Sequence, residues 1–122
     1  MDGPTQRTTD RRGDEGACCR PASHGLSADS VRTDVEVLAA LGNDTRYEAL
    51  RLVAAADGAL CVCELEPALG VSQSAVSQAL SRLYAADLVS KRKEGRWRYY
   101  TATPTAERLL AALDAERGGD DE

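Results

Sequence analysis

The sequence predicts a mainly α domain that carries a helix-turn-helix followed by a small β-hairpin wing. Three observations lead there. Apolar residues recur at helical spacing along most of residues 27–117. A Gly70-Val71-Ser72 break joins two short helical stretches, supplying the glycine turn and serine N-cap that a helix-turn-helix needs. From Val89 to Thr101 the pattern then changes to strand-like alternation around a Glu94-Gly95 turn.

A chain of 122 residues has room for one domain and one modest core. With 43% apolar residues but only 4% aromatic and no Phe, that core must be filled by Leu, Val and Ala. Residues 1–26, rich in Gly, Pro, Asp, Arg and Ser/Thr, read as a flexible arm, and residues 118–122 as an acidic, disordered tail. The folded unit is expected at 27–117. No apolar run is long enough to span a membrane, and the opening MDGPTQRTTDRRGDEG has no apolar signal core, so a cytoplasmic protein is expected.

The elements follow in order. Val31, Val35, Leu38 and Leu41 mark a first helix that Gly42 ends. Asn43-Asp44-Thr45 begins a second helix, with Thr45 and Glu48 at capping-box spacing and Tyr47, Leu50 and Val53/Ala54 as its apolar stripe. Leu60-Cys61 reads as a short extended segment. A short helix from about Val62 to Leu69 turns Leu65, Ala68 and Leu69 inward, with Pro67 removing the bond to the Cys63 carbonyl. The second helix of the turn motif runs from Gln73 to about Ala86, with Val76, Leu80 and Leu83 inward. In the hairpin, Trp97, Tyr99 and Thr101 share one side of the second strand, and Arg96, Arg98 and Tyr100 the other. After Pro104, Ala106, Leu109, Leu110 and Leu113 give a last amphipathic helix.

Charge distribution points to a nucleic acid. The net charge is −5, yet Lys91 to Arg98 holds five positive charges against one negative. A lone basic cluster is commonly a solvated charge run. Here it follows a helix whose outer face, Ser74, Ser77, Gln78 and Ser81, contains no acid. Small neutral groups approach DNA without repelling phosphate, and Gln pairs with adenine through two hydrogen bonds. The expected DNA-contacting set is Ser72, Gln73, Ser74, Ser77, Gln78, Ser81 and Arg82 on the helix. The wing adds Lys91, Arg92, Lys93, Arg96 and Arg98.

Four cysteines form two pairs, Cys18-Cys19 in the arm and Cys61-x-Cys63 at a helix start. A reducing cytosol argues against structural disulfides. Soft thiolates select soft ions instead: three suit trivalent arsenic or antimony, and four suit cadmium, lead or zinc.

From LGNDTRYEALRLV through ALCVCELEPALGVSQSAVSQALSRLYAADLVSKRKEGRWRYY, the chain resembles the ArsR/SmtB family of metal-sensing repressors. The resemblance spans roughly Val35 to Leu113. It implies a homodimer built through the first and last helices. It also implies a repressor bound to a double-stranded DNA operator without any cofactor and released by an inducer ion. The arsenic branch often reads CVCDLC, whereas this chain has Glu66 at the third cysteine. The zinc branch uses His and carboxylates on the last helix, but the one histidine here is His24, in the arm. The Cys61–Cys63 pair therefore needs the arm cysteines, and an adjacent Cys-Cys pair resembles the arsenic case more. Arsenite or antimonite is the favoured inducer, with cadmium, lead or zinc as the alternative.

Other classes are weaker. A thiol oxidoreductase lacks Cys-x-x-Cys and a second histidine. A cytosolic metal-buffering thiol protein would bind ions without preferring any DNA sequence, and the polar helix face with a basic wing is foreign to it.

Overall fold

The computed structural model describes residues 19–118. Its elements run α1 (Ala28–Leu41), α2 (Asp44–Ala55), β1 (Leu60–Cys61), α3 (Val62–Leu69), α4 (Gln73–Ala85), β2 (Val89–Glu94), β3 (Trp97–Ala102) and α5 (Pro104–Glu116). Cys18 and most of the expected arm and tail lie outside the described residues, and 19–27 carry neither helix nor strand. No helix among the described residues is long and apolar enough to cross a membrane.

Side-chain oxygens start most of these helices. Ser27, Ser72 and Thr103 accept from the backbone N–H groups of Ser30, Ala75 and Ala106, each cap contributing about 1 kcal/mol. The start of α2 differs from the capping box expected at Thr45. Asn43, in extended conformation, accepts from the Arg46 N–H at 3.0 Å, so the helix begins before Thr45. Asn is a strong N-cap and stands first in the chain, which leaves Thr45 inside the first turn. The Arg46 side chain then reaches back to the carbonyls of Ala40 and Ala39 and satisfies the end of α1.

Gly70 closes α3 at φ 69, where a Cβ would be strained, and its N–H bonds the Glu66 carbonyl. The helix runs unbroken through Pro67. Of the residues expected inward on α3, Leu65 is fully buried and Leu69 half-buried, but Ala68 is exposed. Eight residues bury only a narrow stripe, and Ala68 falls outside it.

The core is aliphatic, as the lack of Phe requires. Leu50, Leu65, Val76, Leu80, Leu83 and Leu88 have no exposed surface, and Tyr100 closes the cluster from the sheet. The end of α4 is fixed by a paired closure: Leu88 N–H bonds Leu83 O and Asp87 N–H bonds Tyr84 O, with Asp87 at φ 61. Thr103 donates its hydroxyl to the Asp87 carbonyl while capping α5, so the wing's exit and the last helix are fastened to the end of α4.

The sheet has three antiparallel strands in the order β1-β3-β2. Leu60-Cys61, expected only as an extended segment, is its third strand. The hairpin turn is Gly95-Arg96 rather than Glu94-Gly95, because Glu94 pairs with Trp97. Gly95 takes φ 63 at the first central position, the glycine requirement of a tight two-residue turn. Arg96 thus sits in the turn and not on a strand face with Arg98 and Tyr100.

The register also changes how the wing divides its work. Val89, Lys91 and Lys93 share a face with Ala102, Tyr100 and Arg98. On that face Val89 and Tyr100 dock in the core at the root, while Lys93 and Arg98 extend to the tip. The split between core and solvent runs along the strands, from root to tip.

Candidate functional site

The helix-turn-helix places α4 with one side sealed and the other open. Val76, Leu80 and Leu83 are buried, while Ser74, Ser77, Gln78 and Ser81 are exposed, as are Ser72, Gln73 and Arg82. At 13 residues the helix is about 20 Å long, long enough to lie in a major groove. An open groove of about 550 Å³ runs between this face and the start of α2, lined by Asn43, Thr45, Ser74, Ser77, Gln78 and Arg82 among others. Asn43 and Thr45 were not legible as members of this surface, since only the packing of α2 on α4 brings them there.

The wing's charges are not equivalent. Lys91 lies 4.3 Å from the centre of the Tyr84 ring, which ties β2 to the end of α4. Arg92 stands over Tyr99 at 5.3 Å and pairs with Glu94 at 3.0 Å. Lys93, Arg96 and Arg98 have no ion-pair partner among the described residues and are exposed. These three offer phosphate the least hindered charge. Neutral hydroxyl and amide groups on the helix and free cations on the wing have the chemistry to read bases with one part and hold backbone with the other.

The second constellation is the thiol pair. Cys61 belongs to β1 and directly precedes α3, and its N–H is held by the Glu64 carboxylate at 2.8 Å. Cys61 is buried and Cys63 exposed, yet their sulfurs are 3.1 Å apart. The Cys63 thiol donates to the Cys61 sulfur. That bond, with desolvation and neighbouring charge adding to it, holds the Cys63 pKa above the ordinary thiol value. Cys19 is exposed, and among the described residues no three His, Cys, Asp or Glu side chains gather as an ion-holding group. The single chain therefore joins Cys61 to Cys63 and does not bring Cys19 to them.

A family model described as bacterial regulatory protein, arsR family, matches residues 43–91. A protein of Halobacterium salinarum whose name is that of an arsenical resistance operon repressor is 61% identical over 84% of this chain and 85% of its own length. The chain belongs to the ArsR family. A second H. salinarum protein named for the same role is 48% identical over 72% of this chain and 68% of that protein. Among solved structures, the homodimeric winged helix-turn-helix DNA-binding domain from Mycobacterium bovis superposes with a TM-score of 0.69. It is 26% identical, covering 84% of this chain and 94% of that one.

This ArsR-family chain is accordingly a winged helix-turn-helix transcriptional repressor and not an enzyme. Gln78→Ala is expected to cost about 1–3 kcal/mol at one position of the site, while Arg98→Ala weakens all sequences alike and flattens the salt slope by about one unit. Binding measured across single-base variants at several salt concentrations separates the two. A uniform loss for both would remove Gln78 from the readers.

Thiol chemistry gives a pH dependence with a definite sign. The Cys63–Cys61 bond needs the Cys63 proton, so it is intact below the ordinary thiol pKa and is lost as pH rises through the raised one. At neutral pH Cys63 should alkylate more slowly than an unhindered model thiol, accelerating as the medium turns alkaline. Cys61→Ala should speed it at neutral pH, as peptide mapping after iodoacetamide would record.

Proposed function

We propose that this repressor acts as a homodimer that leaves its operator when trivalent arsenic or antimony is bound by Cys61 and Cys63 with help from Cys18 and Cys19. The observation that carries this reading is the meeting of two thiols, 3.1 Å apart, at the head of the helix that leads into the recognition helix. Two sulfurs on one ion at a metal–sulfur distance near 2.3 Å stand roughly 3.4–3.8 Å apart, so this pair needs little rearrangement. The names of the two H. salinarum relatives agree with an arsenical inducer. A reducing cytoplasm keeps such thiols available.

The proposed organisation is an arm of residues 1–26 that contributes Cys18 and Cys19, a winged domain of 27–117, and a short tail. Cys63 rides on α3, and Leu65, two residues later and on the helix's inner side, belongs to one core cluster with Val76, Leu80 and Leu83 of α4. Drawing Cys61 and Cys63 toward arm thiolates tilts α3, and α4 moves with it. Two recognition helices that must stand about 34 Å apart on successive major grooves then lose their fit. A preference of about 1–3 kcal/mol for the released arrangement weakens DNA binding roughly 5- to 150-fold. Cadmium, lead or zinc is the alternative inducer, and would engage all four thiols.

The dimer reading rests on the terminal helices. On α1, Val35 and Leu38 stand 56% and 63% exposed, with Val31 on the same stripe, and Leu113 of α5 is 44% exposed. Leu109 instead packs on its own core and is not the residue to probe. Leu38→Asp should yield a folded monomer in sedimentation, with operator affinity greatly reduced. Tight, sequence-specific binding by that monomer would overturn the dimer.

Cys63→Ser should keep folding and operator binding but abolish release by arsenite in a mobility-shift titration. Replacing Cys18 and Cys19 together by Ser should weaken ion affinity strongly. With arsenic as the inducer, three thiols per ion resist alkylation and one stays reactive; with cadmium all four resist. A full arsenite response without the arm cysteines would sink the shared site.

A further inference from the structure

We propose that Tyr99 is a positioning residue that carries ion binding at Cys61 into the DNA-contacting wing, through a row of side chains on the outer face of the sheet. This deepens the thiol-sensing reading above and rests on it.

The row follows from the register. Cys61 pairs with Tyr99 across β1–β3, and Arg92 pairs with Tyr99 across β2–β3. Directly opposed residues of antiparallel strands share a face, with Cβ atoms about 4.5–5.5 Å apart. Cys61, Tyr99 and Arg92 therefore stand side by side on the face opposite Tyr100, whose ring is in the core. The Arg92 guanidinium lies 5.3 Å from the Tyr99 ring centre and bonds the Glu94 carboxylate. Glu94 is paired with Trp97 on the same face at the wing tip. An unbroken line of neighbours thus runs from a thiol to the basic hairpin.

Cys61 also has two outlets for any displacement. As the residue before α3 it pulls on the helix-turn-helix. As half of a two-residue strand, it is held to β3 by a short ladder at the sheet edge, the kind of element that opens at small cost. A shift of Cys61 toward further thiolates changes what packs beside Tyr99. The ring then moves under Arg92, and the wing's charges change their aim at phosphate. Both recognition elements would be released by one event.

Trp97, the single tryptophan of the chain and 51% exposed, reports on the wing without labelling. The experiment uses full-length protein, arsenite as the probe, and a duplex from the DNA upstream of its own coding sequence. In the native protein arsenite should shift Trp97 emission in the absence of DNA and lower duplex affinity at least about tenfold. Tyr99→Phe keeps the ring and should retain both responses. Tyr99→Leu should keep the arsenite protection of the thiols, lose most of the Trp97 shift, and reduce the ratio of affinities without and with arsenite at least about threefold. If Tyr99→Leu fails to fold, Arg92→Gln replaces it with the DNA-free emission readout, and should likewise lose the shift.

A full Trp97 shift and an undiminished release ratio in Tyr99→Leu, or a full shift in Arg92→Gln, would overturn the proposal. So would thiol protection and DNA release in the native protein with no Trp97 response. Failure of both arsenite and cadmium to protect any thiol would instead overturn the sensing reading itself, and the coupling with it.

Discussion

Leu65 lies without exposed surface in the middle of an eight-residue helix, and Val76, Leu80 and Leu83 belong to the same sealed cluster from the helix that follows. Gly70, in left-handed conformation, sets the angle at which the two helices meet. Close-packed apolar contacts transmit displacement because interiors have few voids in which to absorb it. In a core without Phe, many small aliphatic contacts do the work that a few rings would do elsewhere. The recognition helix is therefore oriented by α3, and α3 begins at the cysteines. In the proposed mechanism, sensing and reading share one piece of packing.

Around that packing the charges are sorted by purpose. The body is acidic and repels phosphate, the face of α4 is neutral, and the wing is basic. Such an arrangement favours docking through the α4 face and the wing over approaches that bring carboxylates against the DNA backbone. Fastening matters as much as sign. Lys91 on Tyr84 and Thr103 on the Asp87 carbonyl hold the hairpin to the two ends of its connection with α4 and α5. The Arg51–Asp114 ion pair at 2.9 Å joins α5 to α2. Partly exposed pairs of this kind contribute only about 0.2–1 kcal/mol, so their value is in alignment more than in stability.

Much of this was legible in the residues. The helices, the Gly70 break, the inward residues of α4 and its acid-free face follow from period and punctuation, which act locally. The misreadings arose where two local signals competed. Asn43 and Thr45 both suit a helix start, and only the extended backbone of Asn43 decides between them. Glu94-Gly95 and Gly95-Arg96 both suit a turn, and strand pairing decides. Leu60-Cys61 is too short to show alternation, so its place beside β3 is a tertiary fact. The row of Cys61, Tyr99 and Arg92 is the same kind of fact, assembled from a hairpin and a strand distant from it in sequence. Of the expected site residues, those on the acid-free side of α4 are exposed, and Cys61 and Cys63 lie side by side. Cys19 is exposed and Cys18 lies outside the described residues, and pattern says nothing about where an aperiodic segment comes to rest.

The neutral face of α4 has a consequence for how a site is found. Charged wings attract any duplex, and a protein held mainly by phosphate slides along it in a shallow landscape. Ser74, Ser77, Gln78 and Ser81 add nothing to that attraction, because hydroxyls and amides gain only when a matching base edge replaces their water. On the proposed division of roles, holding and checking are separate operations with separate speeds. The molecule can scan quickly through mismatched sequence and stop abruptly where the pattern agrees.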